Sequence, residues 1–217
     1  MNIKQFEFNP FSVNTYILYD DTGRGVMIDA GMYSDKEKKE TAAWIKNYDL
    51  QLKHLLNTHL HCDHLLGNPF MLKEFGIKTK AHEGDRFLLD SVKDQAAMFG
   101  LSMSDEEILV DCFLKEEEAV TFGNASLQVI HVPGHSPGSV VFYSEADKCL
   151  FAGDVLFRGS IGRTDLPGGN YEELISGIRK KLFILPDDTV VYSGHGPSTT
   201  IGREKKYNPF FPPARNT

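Results

Sequence analysis

Cysteine is scarce in this chain, and the three present, Cys62, Cys112 and Cys149, are odd in number and scattered in position. That excludes a disulfide framework and fits a reducing compartment. No window of about eighteen apolar residues occurs, so no membrane-spanning helix is expected. The opening residues, Met1 to Phe8, hold no apolar stretch of the length a secretory leader needs, which makes the cytoplasm the expected location. Positive charge is in deficit too: 23 Lys and Arg against 30 Asp and Glu leave a formal charge of -7. A surface built to embrace nucleic-acid phosphates is therefore not expected. There is no GxSxG elbow for a serine nucleophile, no low-complexity tract and no short-period repeat.

What is present is ordinary globular material: 217 residues, 41% hydrophobic and 24% charged, enough to bury a substantial core. Short strands are expected at Ile3 to Phe8, Thr15 to Tyr19 and Gly25 to Ile28, with Asp20-Asp21-Thr22-Gly23 as hairpin chemistry. Ser34 and Glu37 form a Ser-x-x-Glu capping box that opens a helix running to about Tyr48. A strand at Leu52 to Leu56 follows, then a helix from Leu65 to about Phe75 stopped by Gly76, then a strand at Ile77 to Ala81. Residues 83–115 read as mostly helical, an amphipathic cover over the core, and Glu116-Glu117-Glu118 as a solvated turn. The second half repeats the style. Strands are expected at Leu127 to Val132, Ser139 to Tyr143, Leu150 to Ala152 and Thr189 to Tyr192. A helix opens at Asn170, and a short helical turn lies near Thr200 to Lys206. Two mixed batches of strands and helices predict an α/β (α+β) fold of two packed sheets with helices outside.

The chemistry concentrates in Thr58-His59-Leu60-His61-Cys62-Asp63-His64, which holds three of the eight histidines and a carboxylate. The apolar run in front of it places it on the loop leaving a strand, where a rigid scaffold can aim several side chains at one point. Neutral imidazoles and carboxylates are ligands that borderline divalent metals prefer. Three further loops carry the same residue types: His135 after Pro133-Gly134, Asp154 after Leu150-Phe151-Ala152-Gly153, and His195 after Ser193-Gly194. Each candidate follows an apolar run and sits beside a glycine, which lets the backbone turn and the side chain project from the rim. Cys62 lies among these residues and reads as packing or as support behind the ligands.

Together, HxHxDH, Pro133-Gly134-His135-Ser136-Pro137-Gly138-Ser139, Ala152-Gly153-Asp154-Val155-Leu156-Phe157 and Ser193-Gly194-His195-Gly196-Pro197 resemble the metallo-β-lactamase superfamily of dinuclear hydrolases. Within it, the loop Gly162-Arg163-Thr164-Asp165-Leu166-Pro167-Gly168-Gly169 is similar to short-form glyoxalase II, the hydroxyacylglutathione hydrolase type. The resemblance implies a four-layer αβ/βα sandwich with metals at one edge. It implies one domain over residues 1–217, without the C-terminal helical domain of full-length glyoxalase II. Carried over residue by residue, it puts His59, His61 and His135 on a first metal and Asp63, His64 and His195 on a second, with Asp154 bridging both. Asp29 would steady the histidine loop from behind, and Arg163 would hold a carboxylate of the substrate. His54, His82 and His131 match no ligand position.

The implied cofactor is a pair of divalent ions about 3.5–4 Å apart, zinc first, with iron or manganese accepted by the same donors. They would share a water of lowered pKa, which attacks a carbonyl while Asp63 and Asp154 orient it. A thioester suits such a site, because its thiolate leaves with a conjugate-acid pKa of about 8.5 and needs little acid assistance. The expected activity is thioesterase action on S-acylglutathione, such as S-lactoylglutathione, or a related small thioester, with neither nucleic acid nor membrane as partner. The rival reaction class is a mononuclear iron persulfide dioxygenase, which would use His59, His135 and Asp154 and leave His195 idle. The donor set also lacks the cysteine of closed structural zinc sites and differs from the usual ligands of true β-lactamases.

Overall fold

The computed structural model describes residues 1–103 and 108–212. Strands β1 (Asn2–Phe8), β2 (Val13–Tyr19) and β3 (Arg24–Ile28) form an antiparallel meander; β4 (Gln51–Leu56), β5 (Thr79–His82) and β6 (Val110–Leu114) continue the sheet in parallel. A second sheet takes β7 (Ala119–Phe122), β8 (Ala125–His131), β9 (Val140–Ser144) and β10 (Cys149–Gly153) as antiparallel neighbours. A small hairpin, β11 (Leu156–Phe157) and β12 (Ser160–Ile161), stands apart before β13 (Val190–Ser193) joins β10 in parallel and β14 (Thr199–Thr200) closes the edge.

The central strands have two buried faces, and their side chains sort by parity. Ile17, Met27 and Leu55 point outward and pack with Ile45 of helix α1 (Asp35–Asn47) and Met71 of α2 (Asn68–Phe75). Their neighbours Tyr16, Leu18, Val26, Ile28 and Leu56 point inward, against Leu127, Val129, Val140, Phe142 and Phe151 of the second sheet. Val141, Leu150 and Val191 on the outer face of that sheet bury Leu174 of α5 (Tyr171–Gly177) and Ile201 of α6 (Ile201–Tyr207). Helix, sheet, sheet, helix is the four-layer sandwich expected. The caps hold as well. Ser34 and Glu37 close a capping box on α1, and Gly76 ends α2 in the left-handed region at φ 69°. No helix among the described residues is long and apolar enough to cross a membrane.

Three segments correct the sequence reading. Residues 83–115 are not mostly helical: a turn at Glu83–Asp85 and the short helices α3 (Arg86–Leu89) and α4 (Val92–Met98) are followed by strand β6, and residues 104–107 of this stretch lie outside the described residues. The apolar residues of β6 are partnered by β5 in parallel, a tertiary pairing that outweighs the helix-like spacing of the charges before it. Strand β7, beyond the acidic turn, also went unpredicted, although its exposed–buried alternation is that of a strand. The helix expected from Leu65 starts later, at Asn68, with Pro69 in its first turn where the missing N–H costs nothing.

Parallel pairing carries the ends of β3, β4, β10 and β13 to one rim. There the sheets are stitched by backbone bonds, Val140 N to Thr58 O at 2.8 Å and Asn14 N to Gly194 O at 2.7 Å. The Asn14 side chain adds bonds to Ser193 O and Gly196 O.

Candidate metal centre

The rim gathers every histidine and aspartate singled out as a ligand. His61 Nδ1 lies 2.9 Å from His135 Nε2, which lies 3.3 Å from His59 Nε2. A second group sets Asp63 Oδ2 3.6 Å from His64 Nε2 and 3.4 Å from His195 Nε2. Asp154 stands between the groups: Oδ2 is 3.7 Å from His135 Nε2 and 3.5 Å from His195 Nε2, and Oδ1 is 3.5 Å from His64 Nε2. Ligands at about 2.0–2.1 Å from a tetrahedral cation are separated by about 3.3–3.4 Å, so these spacings are those of donors arranged around an ion.

The orientation of each ring is set from outside. Thr58 Oγ1 donates to Asp29 Oδ2 at 2.7 Å, has no second proton, and so accepts from His59 Nδ1 at 3.0 Å. His64 Nδ1 faces Asp29 Oδ2 at 3.0 Å. His135 Nδ1 donates to the Arg163 carbonyl at 2.8 Å, and His195 Nδ1 to the Phe11 carbonyl at 2.9 Å. Four imidazoles are thereby fixed with a proton on Nδ1 and Nε2 turned inward. His61 is inverted and offers Nδ1.

Asp29 itself sits at φ 53°, a left-handed conformation that a non-glycine residue adopts at a cost. The turn aims its carboxylate at the amide of Thr58, 2.8 Å away, and at His64. Asp29 also lies within ligand distance of His59 and His64. Its oxygens are already engaged by Nδ1–H, N–H and O–H donors, so it supports the rings from behind. Glycines shape the inner wall in two ways. Gly153 takes φ 46° to turn the chain into Asp154. A Cβ on Gly194 would fall 2.2 Å from Asp154 Oδ1, so only glycine lets that loop approach.

The electrostatics differ across the rim. Burial, reinforced by neighbouring imidazoles, drives His59 well below its ordinary pKa and His61 down to about 3. Burial would also strip the proton from His64, but Asp63, Asp29 and Asp154 overrule it and carry His64 up to about 10. His195 is likewise raised against its burial, by Asp63 and Asp154. His64 Nε2 and Asp154 Oδ1 are buried and have no hydrogen-bond partner among the described residues. An imidazole Nε2 facing two carboxylates needs positive charge between them, either its own proton or a cation that replaces it. The donor set therefore fits divalent cations.

The other predicted residues fall outside these groups. Arg163 contributes its carbonyl to His135, while its exposed guanidinium is held by both oxygens of Asp165, each at 2.7 Å. Cys62 packs with Leu60, Leu65 and Val92, and burial pushes its thiol up to about 12. His54 reaches Thr121 O, and His82 stacks on His131 at 4.0 Å, so none of these three joins the donors. One residue was missed. Asp85, fully buried, touches both first-centre loops, and the Gly84-Asp85 pair after β5 repeats the Gly153-Asp154 pattern that marked the other loops. Reading 83–115 as a helical cover hid it.

A family profile described as the Metallo-beta-lactamase superfamily matches residues 8–195, the span from the end of β1 to the last candidate ligand. The chain belongs to that superfamily. Among curated relatives of this metallo-hydrolase, hydroxyacylglutathione hydrolase GloC of Haemophilus influenzae is 42% identical over 97% of this chain and 98% of its own length. Among solved structures, BLEG-1 B3 metallo-beta-lactamase superposes with a TM-score of 0.88 at 37% identity, covering 97% of this chain and 99% of that one. TTHA1623, solved in a di-iron-bound form, gives 0.85 at 34% identity over 95% and 99% of the two chains.

Proposed function

We propose that this superfamily member is a dinuclear, metal-dependent thioester hydrolase acting on S-acylglutathione, of the S-lactoylglutathione kind, or on a related small thioester. The observation that carries the reading is the position of Asp154, one carboxylate within 3.7 Å of ligand nitrogens from both groups. Divalent cations held by His59, His61 and His135 and by Asp63, His64 and His195, with Asp154 common to both, would supply an activated water and an electrophile for the carbonyl. Zinc is the first expectation, and the di-iron form of TTHA1623 supports iron as an alternative occupant.

The chain's own residues do the remaining work. Buried His59, His61 and His135 keep bulk water from one side. Asp63, partly exposed and turned toward His64 and His195, is placed to orient a nucleophile at the open side. Arg163 meets a substrate carboxylate by exchanging Asp165 for it. The name of the Haemophilus relative supports glutathione as thiol carrier. The free thiols Cys62, Cys112 and Cys149 accord with a cytoplasmic setting.

A second reading, β-lactam hydrolysis, is favoured by the likeness to BLEG-1 and needs the same activated water on an amide carbonyl. The persulfide dioxygenase reading would have no use for the inward-turned His64 and His195. The test is metal analysis of protein loaded separately with zinc, iron and manganese, with S-lactoylglutathione, a simple acyl thioester and a β-lactam as substrates. Two equivalents of metal with thioester turnover are expected. A β-lactam turned over in preference would replace this reading with the second. Oxygen uptake with glutathione persulfide by a one-iron preparation would overturn both.

A further inference from the structure

Asp85 has no solvent exposure and lies outside both donor groups, yet it is bonded to each of the two loops that carry the three-histidine centre. Its Oδ2 accepts from the amide of Leu60, the residue between His59 and His61, at 3.0 Å. The same oxygen accepts from the hydroxyl of Ser136, next to His135, at 2.7 Å. Its Oδ1 accepts from the amide of Gly138 at 2.6 Å. The Leu60 loop leaves β4 of the first sheet and the Ser136–Gly138 loop joins β8 to β9 of the second. One carboxylate thus ties together the segments that bring His59, His61 and His135 from opposite sheets.

The surroundings are shaped for that contact. A Cβ on Gly138 would fall 2.6 Å from the Asp85 carboxyl carbon, and a Cβ on Gly84 would fall 2.9 Å from the Pro137 carbonyl oxygen. Both glycines are required by the close approach of the two loops. The turn that presents Asp85 is itself capped, because His82 Nδ1 accepts from Gly84 N at 3.1 Å. Ser136 is fixed from its other side by Ser139, whose Oγ accepts from the Ser136 amide at 3.1 Å. Every partner of the carboxylate is a donor, so no neutral side chain of the same shape replaces it: an asparagine would turn its own N–H2 toward an N–H or O–H. Asp29 differs in serving both centres, since it holds His64 directly and His59 through Thr58.

We propose that Asp85 is a positioning residue, which sets the spacing of the His59–His61–His135 centre and so its metal affinity, independently of the Asp63–His64–His195 centre. The inference rests on the two-centre reading above, and the experiment separates their failures. Wild type, Asp85→Asn and Ser136→Ala are stripped, then titrated with zinc against a chromophoric chelator, and cobalt-loaded samples are compared by visible absorption. Wild type is expected to take two equivalents. A wild type that takes fewer than two sinks the two-centre reading itself. Asp85→Asn is expected to weaken one of the two equivalents by about tenfold or more, leave the other within about twofold, and alter one of the two cobalt signatures. A merely structural role would lower the melting temperature and leave both affinities and both cobalt spectra unchanged, which overturns the proposal. Should Asp85→Asn not fold, Ser136→Ala removes one of the three donors and carries the same test. A selective loss of about threefold in one equivalent supports the proposal. Two unchanged equivalents, or equal weakening of both, overturn it.

Discussion

The three-histidine cluster and the Asp63–His64–His195 cluster share Asp154, yet they are built on opposite electrostatic terms. Burial and then the neighbouring imidazoles oppose charge on His59 and His61, so His61 is neutral above about pH 3. The other cluster collects Asp63, with Asp29 and Asp154 behind and beside it, and keeps a proton on His64 up to about pH 10. His59 and His61 offer lone pairs with no added proton to compete, while the other wall offers a negative field that a proton occupies until something better arrives. The first is closed; the second is partly exposed, with side-chain exposures of 17% for Asp63 and 26% for His195, which makes it the side open to a substrate in the proposed reaction. A single polypeptide edge thus places a closed, uncharged cluster beside an open, negatively charged one.

The largest effect should come from removing what the two sides share. Asp154→Ala removes the carboxylate proposed as common to both clusters and leaves buried His64 Nε2 facing Asp63 alone. Loss of about a thousandfold in kcat/KM for thioester hydrolysis is expected, which corresponds to about 4 kcal/mol of transition-state stabilisation. Metal content should fall at both centres. Retention of two tightly held equivalents would break the view that Asp154 bridges.

His195→Ala distinguishes the sides. His195 reaches Asp63 and Asp154 but none of His59, His61 and His135 within ion-pair or hydrogen-bond range. One equivalent of metal should be lost, the other kept, and kcat should fall about a hundredfold. Full activity with a single metal would favour the one-iron chemistry, which has no role for this residue.

The third prediction concerns protons. His64 in the metal-free protein is raised above its ordinary pKa, so its contribution to stability is fully present below about 6.5 and disappears as pH rises through about 10. Between those limits, loading the second centre must expel the proton. Calorimetric titration of zinc at pH 8 in buffers of different ionisation enthalpy should show about one more proton released for the equivalent that fills the Asp63–His64–His195 side than for the other. Equal release from both would erase the contrast.

How much of this was legible beforehand follows from where the information lies. HxHxDH is local, so its residues announced themselves. His135, Asp154 and His195 were found because each follows an apolar run and a glycine, a pattern that survives in one dimension. The parity of Ile17 against Tyr16 and Leu18 was hidden, because strands buried on both faces show no apolar–polar alternation. Strand β6 was misread because only its pairing with β5 makes it a strand. Asp85 was lost with it. Its partners, Leu60 and Ser136, are 25 and 51 residues away, and nothing in the residues around it records them. The same holds for the Phe11 carbonyl on His195, a contact across 184 residues.

The smallest effect tests what the open side recognises. The resemblance puts Arg163 on a substrate carboxylate, and the structure gives that guanidinium an acid of its own: Nε and Nη2 each bond an oxygen of Asp165 at 2.7 Å. The pair is exposed, and Arg163 holds the Asp165 carboxyl down to about 2, so both stay charged across the working range. A glutathione-type carboxylate then has to compete with an internal one of the same chemistry and the same fork geometry. Asp165→Asn weakens the competitor without touching the metal ligands. It should lower KM for S-lactoylglutathione by about two- to fivefold and leave kcat nearly unchanged, whereas Arg163→Ala should raise KM, because binding shared equally by ground and transition states moves KM alone. A simple acyl thioester with no carboxylate should respond to neither variant. If both thioesters shift together, the pair orders the loop that holds His135 Nδ1 through the Arg163 carbonyl, and substrate selection belongs to other residues of the rim.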